Sequence, residues 1–398
     1  MARMEIVDFF EPLDLKKLHG STKTHPLALG RIINSYTPES GFPELQGVDI
    51  AIIGVKEDRN SLNNEGCGLA PDYVRKYLYQ LFQGPFKVRI ADLGNIRAGD
   101  QVNDTYFAVK TTIAELIRNK IIPVIIGGSQ DLTYANYMAY EDLGQIINIV
   151  SVDSTFDLGL GRNEEINHRN YLSTILTHQP NYLFNYTNLG YQTYLVDQDA
   201  IELMEKLYFD IYRLGVVRKD LEEVEPVVRS ADMISFDISS IRQSDAPGNV
   251  NVSPNGFYGE EACQIIRYAG LSDKLSSIGF YEINPAFDQG EQTAHLVAQM
   301  IWYFFDGFYQ RKNDMPDRQR KDSGEYIKYV VSLKEFKNEI IFYKSKKSDR
   351  WWMEVPCPVG LQLKYERQFL VPCSYREYQA ACQDDIPEKW LQVYQKFL

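Results

Sequence analysis

The chain has 398 residues, of which 44% are apolar, 13% aromatic and 24% charged, a globular composition that excludes a largely disordered or fibrous chain. The length suits two or three units, or one large α/β domain with an appendage. A formal net charge of −12 argues against a nucleic-acid groove, and no apolar run approaches the roughly 18 residues of a membrane span.

The start of the chain, MARMEIVDFFEPLDLKKLHG, lacks the apolar core of a signal peptide, and residues 1–47 read as an N-terminal extension. From 48 to 310, short β-branched runs alternate with helical patterns. The strand runs are 49–54, 87–92, 121–128, 147–153, 192–196, 233–237 and 276–282; amphipathic stretches at 104–120 and 260–271 lie between them. Continuous apolar strands alternating with helices predict an α/β fold, a three-layer doubly wound sheet that is mostly parallel. Residues 311–325 (RKNDMPDRQRKDSGE) read as a linker. Residues 326–398 read as an aromatic-rich C-terminal mixed β/α extension packed on the core, with two or three antiparallel strands and a closing helix near PEKWLQVYQKF. The pair Trp351-Trp352 is expected to pack this module onto the core, the alternative being a partner-binding hot spot. Five scattered cysteines without a CxxC pair fit reduced thiols in a cytoplasm.

Four strand ends carry the chemistry. They are Gly127-Gly128-Ser129-Gln130-Asp131, Asp153-Ser154-Thr155-Phe156-Asp157, Asp237-Ile238-Ser239 followed by IRQSDAPG, and Glu282-Ile283-Asn284-Pro285. Acids at the carboxyl ends of parallel strands converge on one crevice, where they can hold a metal or a cationic group. In order, spacing and strand context these segments resemble the ureohydrolases, the family of arginase, agmatinase and formimidoylglutamase. GCGLAPDYVRKYLYQL leading to Arg75, and the helix with Thr293-Ala294, extend the resemblance over about residues 48–308.

The resemblance implies two Mn²⁺ ions held by two His and four Asp. Carried over residue by residue, those positions are Gln130, Asp153, Thr155, Asp157, Asp237 and Ser239, so three of six ligands are substituted. Gln130, Asp153, Asp157 and Asp237 offer hard oxygen donors for at most one divalent ion, Mn²⁺ or Mg²⁺. Thr155 and Ser239 are poor ligands, so the second ion is expected to be absent. Without two ions the attacking water keeps a high pKa, and the expectation is a protein that binds or scaffolds without catalysis and without a cofactor. The alternative is a divergent formimidoylglutamase- or agmatinase-like C–N hydrolase with one or an atypical metal, acting on a guanidino or formimidoyl substrate. For such chemistry the resemblance points to Asp157, to Glu282 as a grip on a planar cation, and to His168 near a proton-shuttling loop position. Arg242 replaces an acid of the family pattern, and its guanidinium is expected to reach Asp237 or Asp153 in place of a metal, the alternative being a surface Arg. The expected partners are a small cationic metabolite or a protein, in a homo-oligomer as the family implies.

Overall fold

The computed structural model describes residues 5–19, 25–85, 87–159, 165–333 and 339–398. Residues 1–4 and 20–24 of the expected N-terminal extension lie outside the described residues, as do Lys334 and Asn338, the facing ends of two expected strand runs.

Ten strands build the main sheet: β1 (Phe10–Glu11), β2 (Asn34–Ser35), β3 (Ile50–Val55), β4 (Ile90–Ile96), β5 (Ile122–Ile126), β6 (Ile147–Val152), β7 (Leu183–Tyr191), β8 (Asp210–Arg213), β9 (Met233–Asp237) and β10 (Ser277–Tyr281). The order is β1-β4-β3-β5-β10-β9-β6-β7-β8, with β2 also paired to β4. Only β1 runs antiparallel to its neighbour. Every residue of β3, β5, β6, β9 and β10 is buried, as a parallel sheet covered on both faces requires. Alternate residues serve opposite faces: Ile50 and Ile52 pack with the helices Ala70–Leu78, Gly259–Leu271 and Gln292–Tyr309, while Ala51 and Ile53 pack with Val102–Arg118. No helix among the described residues is long and apolar enough to cross a membrane.

Two strand expectations need correction. The run 192–196 is a turn, and the strand lies before it, at 183–191. That strand buries Asn185, Thr187 and Asn188, whose hydrogen bonds replace apolar packing: Asn185 Nδ2 donates to Asp210 at 2.6 Å and Asn188 Nδ2 to the Thr155 carbonyl at 2.8 Å. Buried polar groups paired in this way cost little and hide the strand from an apolar pattern. The run 87–92 starts its strand only at Ile90 and continues to Ile96.

The C-terminal residues form a second sheet of four antiparallel strands rather than two or three: β11 (Tyr326–Ser332), β12 (Glu339–Ser345), β13 (Trp351–Glu354) and β14 (Leu370–Cys373). Helices Tyr375–Cys382 and Glu388–Phe397 follow. Trp352 is buried beneath the Arg229 guanidinium, 4.4 Å from its ring, and Arg229 also donates to the Trp351 carbonyl at 3.2 Å. Phe184 of the main sheet meets Phe397 at 5.5 Å. The 311–325 segment is not a free tether, because Asp314 is buried and its amide donates to Asp273 at 2.9 Å.

Candidate functional site

The four chemistry-bearing strand ends belong to β5, β10, β9 and β6, which are consecutive in the sheet. Sheet order therefore gathers side chains that are up to 152 positions apart in sequence, as in the Gln130–Glu282 contact. The turn after β5 needs glycine at Gly128: a Cβ there would lie 1.9 Å from the Glu57 carbonyl oxygen. That close approach lets the Ser129 amide donate to Glu57 and the Glu282 amide donate to the Gly128 carbonyl, at 3.0 and 2.8 Å.

Gln130 follows, fully buried. Its amide NH₂ donates to Asp153 Oδ2 at 2.9 Å, and its Oε1 has no hydrogen-bond partner among the described residues. Asp153 closes β6, and its Oδ1 accepts the Thr155 amide at 3.0 Å. The Thr155 hydroxyl sits between two acids, 2.8 Å from Asp157 Oδ1 and 3.3 Å from Asp153 Oδ1. Asp157 has a left-handed backbone, φ +52°, a conformation that Asp and Asn tolerate better than most residues. Asp237 ends β9 and accepts the Ser239 amide at 2.6 Å.

Burial raises all three acids above their ordinary carboxylate range. For Asp157 the Asp153 charge and a hydrogen bond shared with Asp153 add to burial; for Asp237 the charges of Asp153 and Glu282 do. Adjacent buried carboxyls cannot all ionise, and a proton held between two of them relieves the repulsion. Behind them Asp131 is pushed up to about 6, chiefly by burial, while accepting Tyr106 Oη and Asn60 Nδ2.

Thr155, Asp157, Asp237, Ser239 and His168 line one crevice of about 500 Å³. Three residues that the sequence reading passed over complete its wall: Arg169, Asn251 and Asp197. Leu195, Val196 and Val252 give it an apolar side. Arg169 directly follows His168 in INHRN, the one local signal that could have pointed to it.

Three site expectations are corrected. Arg242 reaches neither Asp237 nor Asp153: its Nε donates to Asp245 at 2.8 Å and its guanidinium stacks 3.9 Å over Tyr258. An acid three residues away and an aromatic face hold it more readily than the buried cluster. Glu282 is buried outside the crevice lining, and its carboxylate is taken by the Gln130 amide, Ser61 Oγ and Asn64 Nδ2 at 2.9, 2.6 and 2.8 Å. It binds strand ends together instead of facing a ligand. Gln130 presents its NH₂ to Asp153, not the carbonyl that a metal would need.

A two-metal centre does not fit these donors. Gln130 and Thr155 donate hydrogen bonds to the acids at positions where the resemblance implies ligands, and Asp157 shares a hydrogen bond with Asp153. Among the described residues no group of three or more His, Cys, Asp or Glu is arranged to hold a metal ion.

The profile of the Arginase family matches residues 48–306. Formimidoylglutamase of Streptococcus gordonii is 25% identical over 289 residues, covering 65% of this chain and 84% of the relative. The Staphylococcus haemolyticus formimidoylglutamase is 26% identical over 270 residues, covering 64% and 85%. Among solved structures, Bacillus subtilis formimidoylglutamase superposes with a TM-score of 0.65 at 19% identity, covering 74% of this chain and 96% of that one. Trypanosoma cruzi formiminoglutamase with Mn²⁺ gives 0.62 at 19%, covering 69% and 98%.

Proposed function

This chain belongs to the arginase family, and from that premise we propose that it keeps the family crevice, binds a small cation there, and does not carry out two-metal hydrolysis. The observation that carries this reading is the Thr155 hydroxyl bonded to Asp157 and Asp153. The hydroxyl has one hydrogen, which the shorter distance directs to Asp157, and as a neutral oxygen it is a poor metal ligand beside the imidazole that the resemblance implies at this position. Gln130 also donates, to Asp153. Without two ions, nothing lowers the pKa of a bridging water from about 15.7 towards 7.

What remains is a crevice with acids in its lining. Buried Asp237, half-buried Asp157 and exposed Asp197 line it, and Arg169 is the only Arg or Lys among its described lining residues. Buried acids short of positive partners favour an incoming cation. The family premise and the free cysteines also support a cytoplasmic homo-oligomer, which light scattering on the purified protein would test.

A second reading is favoured by the curated relatives named above: a formimidoylglutamase-like hydrolase using one ion or an atypical set around Asp153, Asp157 and Asp237. Elemental analysis after incubation with Mn²⁺, coupled to assays for released urea and formamide, separates the two. We expect no stoichiometric Mn²⁺ and no turnover; two equivalents of metal with turnover overturns the binding-protein reading.

A further inference from the structure

The C-terminal helix Glu388–Phe397 carries Lys389, Gln392, Val393 and Lys396 at the spacing of one helical face. That face closes a cavity of about 30 Å³ against the main sheet. Four cations line it, Lys274, Arg367, Lys389 and Lys396, against one acid, Asp210. Outside the lining, Asp232 serves both Lys274 and Arg367, and Glu377 lies 3.7 Å from Lys389. Lys396 is left over. Its ammonium meets the Asn185 side-chain carbonyl and the rings of Phe184 and Phe209, at 5.5 and 5.1 Å, and among the described residues no carboxylate pairs with it. Asp210 is taken instead by Asn185 Nδ2 and Thr187 Oγ1 at 2.6 and 3.3 Å.

The lining also holds acceptors without donors. Asn148 is buried, and its Nδ2 donates to the Ser230 carbonyl at 3.1 Å. A carbonyl only accepts, so the amide cannot be turned over, and Asn148 Oδ1 has no partner among the described residues. Gln392 Oε1, on the helix side, is in the same position. An occupant therefore has to bring negative charge to the lysines and a hydrogen to an amide oxygen. Water brings the hydrogen without the charge; chloride or sulfate brings the charge without the hydrogen.

We propose that this cavity binds a protonated oxyanion, inorganic phosphate at neutral pH, which ties the C-terminal helix to β6 and β7. Its bare oxygens accept from Lys396 and Lys274, charge-assisted bonds of the stronger kind, and its hydroxyl donates to Asn148 Oδ1. The volume exceeds the roughly 10–15 Å³ that one water needs, and the long side chains of half-buried Lys389 and Lys396 can move to admit a compact ion. Burial lowers Lys274 and Lys396 to about 8, and an anion beside them offsets that effect.

Calorimetry on the full-length protein in chloride buffer, titrated with sodium phosphate and separately with sodium sulfate at matched ionic strength, tests this. Phosphate should bind with one equivalent, about tenfold to a hundredfold more tightly than sulfate, the range for leaving a buried acceptor without a donor. Lys396→Met keeps an aliphatic chain against Phe184 and Phe209 and should weaken phosphate by about tenfold or more. Lys389→Met gives the same readout if the first variant does not fold. No phosphate binding means that water alone fills the cavity and overturns the proposal. Equal affinity for sulfate overturns it by removing the role of the amide oxygens, and phosphate binding unchanged by the lysine variants does so by placing the ion elsewhere. A phosphate monoester bound as tightly as the inorganic ion overturns the enclosed site.

Discussion

Strand β9 carries an aspartate at each end, and the two live in opposite surroundings. Asp232, before its first residue, is buried between two cations, Arg367 Nη2 at 2.7 Å and Lys274 Nζ at 3.3 Å, and accepts the Asn148 amide at 2.9 Å. Asp237, its last residue, accepts the Ser239 amide and faces the charges of Asp153 and Glu282. One acid is neutralised by its own chain; the other sits among like charges. An acid that brings its own cations belongs to the fold, here to the joint with the C-terminal residues, where Arg367 lies in the connection between β13 and β14. An acid kept among acids is held at a cost, and a ligand from outside can relieve it.

The comparison breaks first if Asp232 is dispensable. Asp232→Ala strands Lys274 and Arg367, and removing one partner of a buried pair costs about 3–5 kcal/mol; urea denaturation should register that loss. The same joint rests on the buried indole under Arg229, so Trp352→Ala should cost about 3–4 kcal/mol, as for other buried aromatics. A near-neutral Trp352→Ala would assign the C-terminal sheet to partner binding instead. At the other end of β9, supplying ligands should reverse the situation. Gln130→His, Thr155→His and Ser239→Asp together should bind Mn²⁺ at least tenfold more tightly than the parent, because side chains that touch the ion matter more than the groups that only orient them, which are themselves worth about 10–100-fold. No gain by calorimetry would mean that the strand ends no longer converge as they must for metal.

Much of this contrast was legible in the sequence, for physical reasons. Fully buried parallel strands are unbroken apolar runs, so β3, β5, β6, β9 and β10 stood out, and acids at their ends followed from their position. What failed was side-chain aim. Arg242 was expected at the buried acids, yet Asp245 lay three residues on and took it. Glu282 was expected to face a ligand, yet donors at Ser61 and Asn64, over 200 positions away, saturate it. The strand at 183–191 hid behind buried Asn and Thr, and Arg169 is an exposed loop residue without periodic pattern.

A smaller effect concerns Lys274. Burial lowers its pKa to about 8, against the opposing pull of Asp232, while an unfolded lysine titrates near 10.4. Below pH 8 both states carry the proton and no pH dependence arises. Above 8 the unfolded chain binds the extra proton, so stability rises with pH by about 1.4 kcal/mol per unit until roughly pH 10. The stability difference between wild type and Lys274→Met should therefore be flat from pH 6 to 7 and grow in favour of wild type by about 1 kcal/mol from pH 8 to 9. A difference that stays flat throughout would mean that Lys274 remains charged beside Asp232.

The finest test applies one conservative change at both ends of β9. Asp232→Asn removes the charge that Lys274 and Arg367 share and should destabilise by a large part of the alanine effect. Asp237→Asn removes a charge from among like charges, and the asparagine carbonyl can still accept the Ser239 amide. It should be neutral or stabilising by less than about 1 kcal/mol at pH 7, because burial already disfavours the charged form there. Asp157→Asn should behave likewise, since asparagine suits the left-handed backbone at that position. Thermal melts of the three variants at one pH decide the matter. If Asp237→Asn destabilises as much as Asp232→Asn, the strand-end acids are structural like their counterpart, and the crevice has no unmet charge with which to draw in a cation.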